Sequence, residues 1–225
     1  MKYIISAFLL ICVYACDQEK TNAKTEIKDA ANSKDSVKNI SSTISDEYLI
    51  TDTSFGKINK TTTFKDLEKI FGKINIQDTI GYGAEGIDSF IITRIYSNTP
   101  KEIIINWQQN KLHKAISRID IYQDNAPYYY TPDSLKIGST LEKLLQVNGK
   151  KIIFTGTSWD YGGMISSYNG GRLNNSKLFF RLASSPSASE QIMGDHELNT
   201  DMPLVKANLK KLYISNISLT LDNSR

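Results

Sequence analysis

Thr63-Phe64-Lys65-Asp66-Leu67-Glu68-Lys69-Ile70-Phe71-Gly72-Lys73 lies over Thr140-Leu141-Glu142-Lys143-Leu144-Leu145-Gln146-Val147-Asn148-Gly149-Lys150 without a gap, at an offset of 77 residues. Apolar Phe64, Leu67 and Ile70 match Leu141, Leu144 and Val147. Spacings of three and four place each set on one stripe of a helix. Thr63 with Asp66, and Ser139 with Glu142, read as N-caps with an acid three residues on. Gly72 and Gly149 stand where a left-handed C-cap favours a residue without Cβ. Two short helices of about two to three turns follow from this pattern.

The similarity continues beyond the helices. The same offset lays Tyr82 on Trp159, Gly86 on Gly163 and Ile87 on Met164. After the first helix, residues 90–96, 102–107 and 115–122 are β-rich, with Ile103, Ile105 and Trp107 on one face of their strand. After the second, residues 151–157, 164–168, 178–183 and 212–221 are the strand candidates. Asn98-Thr99-Pro100 and Asn169-Gly170-Gly171 mark turns between strands. The expected fold class is α+β, with two tandem repeats of a short helix followed by an antiparallel β-meander, at residues 47–130 and 131–225. Tyr128-Tyr129-Tyr130 reads as the linker packed between the repeats.

At the other end, Met1-Lys2-Tyr3 precedes an apolar run from Ile4 to Ala15 that is broken by Ser6. One charge, about a dozen apolar residues and a small residue at the cut make a secretory signal peptide at residues 1–15. As a helix it would span about 18 Å, short of the roughly 30 Å hydrocarbon core. Val13-Tyr14-Ala15-Cys16 resembles the lipobox of bacterial lipoproteins: Val13 and Ala15 fit, and Tyr14 stands where a small residue is usual. That resemblance implies cleavage before Cys16, a diacylglyceryl thioether on its sulfur and a further acyl chain, typically palmitate, on its new amino group. Two or more chains anchor stably. Cys12 leaves with the signal, so the mature chain keeps a single cysteine and has neither a disulfide nor a cysteine metal site.

Residues 16–46 are polar, with isolated Ile and Val, too few apolar groups to offset the entropy of ordering. They read as a flexible tether with a reach of about 30 Å. Asp17-Gln18-Glu19-Lys20 resembles surface-export signals of Bacteroidota-type lipoproteins, whereas Asp directly after the cysteine resembles an enterobacterial inner-membrane retention signal. The expected location is the cell envelope, lipid-anchored to the outer membrane, with the periplasmic and surface-exposed leaflets both open.

Over residues 57–221 the pattern resembles the BamE (SmpA/OmlA) family and the tandem-repeat β-lactamase-inhibitor proteins. It is also similar to uncharacterised duplicated lipoproteins carrying a Trp-Asp-Tyr-Gly-Gly segment like the one from Trp159 to Gly163. These resemblances imply protein binding and transfer no functional residue.

The residues themselves carry no catalytic signature. Net charge is +3, and the lysines often lie beside acids, as in Lys65-Asp66, which excludes the basic stripe of a nucleic-acid surface. His113 sits in a polar turn and reads as a surface histidine. His196 has Asp195, Glu197 and Asp201 nearby, but the spacing matches no Ca²⁺ loop or zinc motif and reads as a turn in a long loop at residues 184–203. No metal and no cofactor is expected. There is no nucleophile elbow and no Walker A sequence; the glycines at 81, 83 and 86 precede a strand, not a helix. The candidate binding residues are Trp159, Asp160 and Tyr161 in the Gly-rich segment 158–163, with Tyr82 and Glu85 in its counterpart at 82–86. Aromatic side chains in such turns serve as interface anchors; the structural alternative is that Trp159 covers the core while the glycines permit a tight turn. The function read from this is a non-enzymatic, membrane-anchored binding module for a protein or surface glycan. The alternatives are an envelope hydrolase using Glu85, Asp160 or Asp195, and a structural subunit of an outer-membrane assembly machine.

Overall fold

In the computed structural model the Thr63 hydroxyl accepts the backbone N–H of Asp66 while the Asp66 carboxylate accepts the N–H of Thr63. This closed capping box opens α1, Phe64–Phe71. The Thr63 hydroxyl also donates to the carboxylate at 2.7 Å and holds the Asp66 carboxyl below its ordinary range. α2, Leu141–Asn148, has the same length at the same offset. Its cap lies one residue later than the sequence pattern implies. Thr140 accepts the Lys143 N–H at 3.3 Å, whereas Ser139 accepts that of Lys136 and closes the preceding turn. Gly149 ends α2 in the left-handed conformation (φ 71°, ψ 0°). Gly72, at φ 81° and ψ 134°, lies outside it and leads into a 3₁₀ turn at Lys73–Asn75.

The structure describes residues 46–83, 86–122 and 128–222. Cys16, the signal at 1–15, the tether up to residue 45 and Glu85 lie outside them. No described helix is long and apolar enough to cross a membrane. A small ribbon pairs β1 (Ser54–Phe55) with β2 (Ile58–Asn59). The first half continues through β3 (Ile76–Tyr82), β4 (Ser89–Ile95), β5 (Ile103–Trp107) and β6 (Ile116–Tyr122). The second contributes β7 (Ile153–Thr155), β8 (Ile165–Ser167), β9 (Leu178–Ser184), β10 (Glu197–Asn199), α3 (Pro203–Lys206) and β11 (Leu212–Thr220).

The fold is α+β, dominated by antiparallel strands with few helices. The main sheet has the order β3-β4-β5-β6-β11-β9, so the first half runs as helix and meander. The second half divides between two sheets: β7 and β8 join β10 in a three-stranded sheet, while β9 and β11 extend the main one. The break lies between β8 and β9, where a Met164–Arg181 bridge and the Leu182 N–H on the Gly163 carbonyl (2.8 Å) make the connection. The stretch 184–203, read as loop, holds a 3₁₀ turn at Glu190–Ile192 and β10. β3 was not among the expected strands because an edge strand with Asp78 and Gly81 presents no apolar run.

Alternation along the strands sends Ile103 and Ile105, Ile119 and Ile121, Ile217 and Leu219, and Leu178 and Phe180 to one face. They pack with Leu67, Leu141 and Leu144 in one core that draws on both halves of the chain. Each such side chain stabilises by about 1.5–3 kcal/mol on burial. The β6–β11 pairing is where the halves join. In the tyrosine segment, Tyr129 is buried against Phe55 (4.9 Å between rings), the Ile50 N–H donates to the Tyr130 carbonyl, and the Tyr130 N–H donates to the Tyr48 carbonyl.

The two tryptophans lie one in each half, at Trp107 and Trp159. In single-tryptophan variants (Trp159→Phe or Trp107→Phe), denaturant unfolding should follow coincident transitions, and Ile217→Ala should lower stability by about 2–5 kcal/mol in both. Separate midpoints would mean that the halves unfold independently.

Candidate functional site

On the face opposite the core, the polar members of the same alternating strands come together. Two shallow depressions cross this face, and both are lined by Arg118, Asp120 and Tyr122 of β6. Asp120 is 2% exposed and forms the centre of the floor. Its Oδ2 accepts from Asn106 Nδ2 at 2.7 Å and Arg118 Nε at 2.9 Å, and its Oδ1 accepts the Ser218 hydroxyl. A buried carboxylate is tolerated when charge-assisted donors replace its water shell. Asn216 anchors the next position by donating to the Ile121 carbonyl at 2.8 Å. Burial first, and then the neighbouring Asp120 charge, push the Tyr122 hydroxyl above its ordinary range, so it stays protonated at neutral pH. Arg94 and Glu102, 2.7 Å apart, wall the depression on the β3 side.

Exposed apolar side chains surround this floor: Phe179 and Met164 at the β9 end, Tyr122 in the middle, and Phe90 and Tyr82 at the β3 end. Exposed apolar groups around a polar floor make this face the candidate interaction surface.

The structure places the residues singled out from the sequence at opposite ends of this sheet. At the β9 end, segment 158–163 is clamped by Arg181, whose Nε donates to the Gly162 carbonyl and Nη2 to the Asp160 carbonyl, each at 2.6 Å. The Trp159 indole N–H is spent on the Gly156 carbonyl at 2.8 Å, and its ring meets Tyr161 edge-on at 5.6 Å. Gly163 has φ +74°, and a Cβ there would lie 1.8 Å from the Leu182 carbonyl oxygen. The glycine and Trp159 therefore serve the turn, while Asp160 and Tyr161 stay exposed. Tyr82 is not in a loop: it ends β3, paired with Ser89, and lines the depression at that end. Neither Asp160 nor Asp195 lines either depression.

Sequence reasoning missed the floor itself. Its signal was Arg118-Ile119-Asp120-Ile121-Tyr122, where three polar positions alternate with core isoleucines and an aspartate sits mid-strand, a position that disfavours it. His113 is also more engaged than a surface histidine. It stacks on Phe64 at 4.4 Å, meets Trp107 edge-on, and holds Nε2 2.8 Å from the Asp78 carboxylate without hydrogen-bond alignment. Asp78 in turn accepts from Thr93, which accepts the Trp107 indole N–H. With Thr93 fully buried, this chain braces the β3–β4–β5 corner. His196 Nε2 lies 3.1 Å from the Gln191 carbonyl, and among the described residues no group of three His, Cys, Asp or Glu could hold a metal ion.

Because the turn needs a residue without Cβ against Leu182, Gly163→Ala should destabilise the protein by roughly 1–3 kcal/mol or more, read by chemical denaturation. Gly170→Ala, at positive φ in open space, should cost less; equal losses would remove the close approach as the cause.

No family model matches the chain, and no curated protein matches it. Among solved structures it is similar to the crystal structure of the uncharacterized protein yfeY from Escherichia coli, at a TM-score of 0.43 and 13% identity, covering 76% of this chain and 98% of that one.

Proposed function

We propose that this chain is a non-catalytic binding lipoprotein of the cell envelope, anchored to the outer membrane through lipid on Cys16, whose open sheet face holds a protein partner. The observation that carries the reading is the preorganised polar floor around Asp120 ringed by exposed Phe179, Met164, Tyr122 and Phe90. Rigid apolar anchors around a fixed polar centre are the make-up of a binding hot spot. Asp160 and Tyr161 are exposed on the turn that Arg181 holds at the β9 end, and Tyr82 lines the depression at the β3 end.

The proposal includes an internal duplication, residues 47–130 and 131–225. It is supported by α1 and α2, equal in length and related by the 77-residue offset of the sequence repeat. It is supported also by β6 and β11, the last strands of the two halves, which pair antiparallel as a two-fold relation between repeats requires. β10 and α3 are then insertions in the second copy.

A photocrosslinking residue at Phe179 should trap a discrete partner in cells, one at Lys65 near α1 should not, and Tyr122→Asp should abolish the product while leaving the unfolding midpoint unchanged. Equal products from Phe179 and Lys65 would sink the assignment of the face. Glycan-array binding lost in Tyr122→Asp would keep the face and replace the partner class. Separately, a palmitate analogue fed to cells should label the wild-type chain and not Cys16→Ser; label on the variant rules out the anchor.

A further inference from the structure

We infer that the segment held on the open face is an extended acidic peptide whose carboxylate docks on Arg118. This deepens the proposed binding function and rests on it. Arg118 Nε is tied to Asp120, which Asn106 and Ser218 hold in turn, so the guanidinium plane is fixed from beneath. Its side chain is nevertheless 48% exposed, and the Nη pair has no partner among the described residues. An arginine oriented by a buried carboxylate and presenting its two terminal nitrogens to solvent matches the two oxygens of an incoming carboxylate. Little ordering entropy remains to be lost at that contact.

The charge balance favours the same ligand. Three guanidiniums, Arg94, Arg118 and Arg181, line the two depressions, against the two carboxylates of Glu102 and Asp120. Arg94 is paired with Glu102, and Arg118 shares the buried Asp120. Arg181 donates to backbone carbonyls, which cancel none of its charge. The face is left with one positive charge in excess, on Arg181, next to the Arg118–Asp120 pair.

Three of its other polar side chains are turned inward. Asn106 donates to Asp120, Asn216 to the Ile121 carbonyl, and Ser218 to Asp120. A hydroxyl-rich glycan would find few open partners, whereas a peptide needs few. Ile92 and Ile104 flank Arg118 on the β3 side, and Phe179 and Met164 flank it on the β9 side. These flanks accept apolar side chains. Six strands at about 4.8 Å span roughly 24 Å, the length of about seven extended residues at 3.3 Å each. The ligand is therefore about seven residues long, with an acid near its middle and apolar residues on both sides.

The test is a display library of random seven-residue peptides selected on the full-length chain, with binding of the winners measured by fluorescence anisotropy. Winners should carry one Asp or Glu between apolar residues. Changing that acid to its amide, or Arg118 to Gln or Lys, should each weaken binding at least about tenfold, and the two changes together should cost no more than one. Arg118→Lys keeps the charge and loses the fork, and the amide peptide tests the contact on unaltered protein, so a folding defect in Arg118→Gln does not decide the matter. Winners without an enriched acid, unaffected by Arg118→Gln but lost in Phe179→Asp, would overturn this inference and leave the binding face intact. Selection of no peptide, with acidic glycans bound instead, would overturn it in favour of a glycan. No binding of either kind, together with no crosslink at Phe179, would remove both the socket and the proposed face.

Discussion

Five antiparallel pairs between β6 and β11 organise the molecule on both sides at once: Tyr122 with Asn216, Ile121 with Ile217, Asp120 with Ser218, Ile119 with Leu219, and Arg118 with Thr220. Side chains alternate across a strand, so the isoleucine and leucine pairs enter the core while the polar pairs line the open face. A slip of one residue would reverse every one of these assignments. Asp120 makes that slip costly in a specific way, because its carboxylate is buried and takes the Ser218 hydroxyl from across the pairing. In another register the buried carboxylate would lose that donor, at a cost of about 1–3 kcal/mol. The buried carboxylate thus acts as a register pin, and the arginine it orients is a consequence of the same pairing.

What could be read in the sequence, and what could not, divides along sequence distance. α1 and α2 were legible because caps and apolar stripes act over three or four residues, and the two errors, Ser139 for Thr140 and a left-handed cap at Gly72, are confined to the helix ends. β4, β5, β6, β9 and β11 fall within a residue or two of their expected bounds, because a half-buried strand declares itself by local alternation. β3 did not, since an edge strand has little to bury. The division of the second half between two sheets depends on Gly163 approaching Leu182, and the polar floor depends on residues 98 apart, Asp120 and Ser218. No local pattern carries such information. The aromatic, Gly-rich segment at 158–163 was legible as unusual. Its role in shaping the turn was decided by Arg181, 19 and 21 residues downstream of the carbonyls it holds.

The two ends of the main sheet differ although α1 and α2 have the same length. After α1, β3 and β4 pair over seven residues and leave β3 as the outermost strand, with Ile80 and Tyr82 exposed. After α2, β7 and β8 share two pairs, β10 covers the outer edge of β7, and the turn at 158–163 is locked onto β9 by Arg181. One end of the face is a rigid wall with spent hydrogen bonds, and the other is an apolar hairpin with unoccupied surface. A segment lying across such a face meets unlike walls, so its two orientations are not equivalent. For the proposed peptide, the guanidinium near the middle would fix where its charge sits, and the unlike ends would fix which way it runs. Position and direction are then set by groups that the fold already holds still, which is the least costly route to specificity on an otherwise shallow surface.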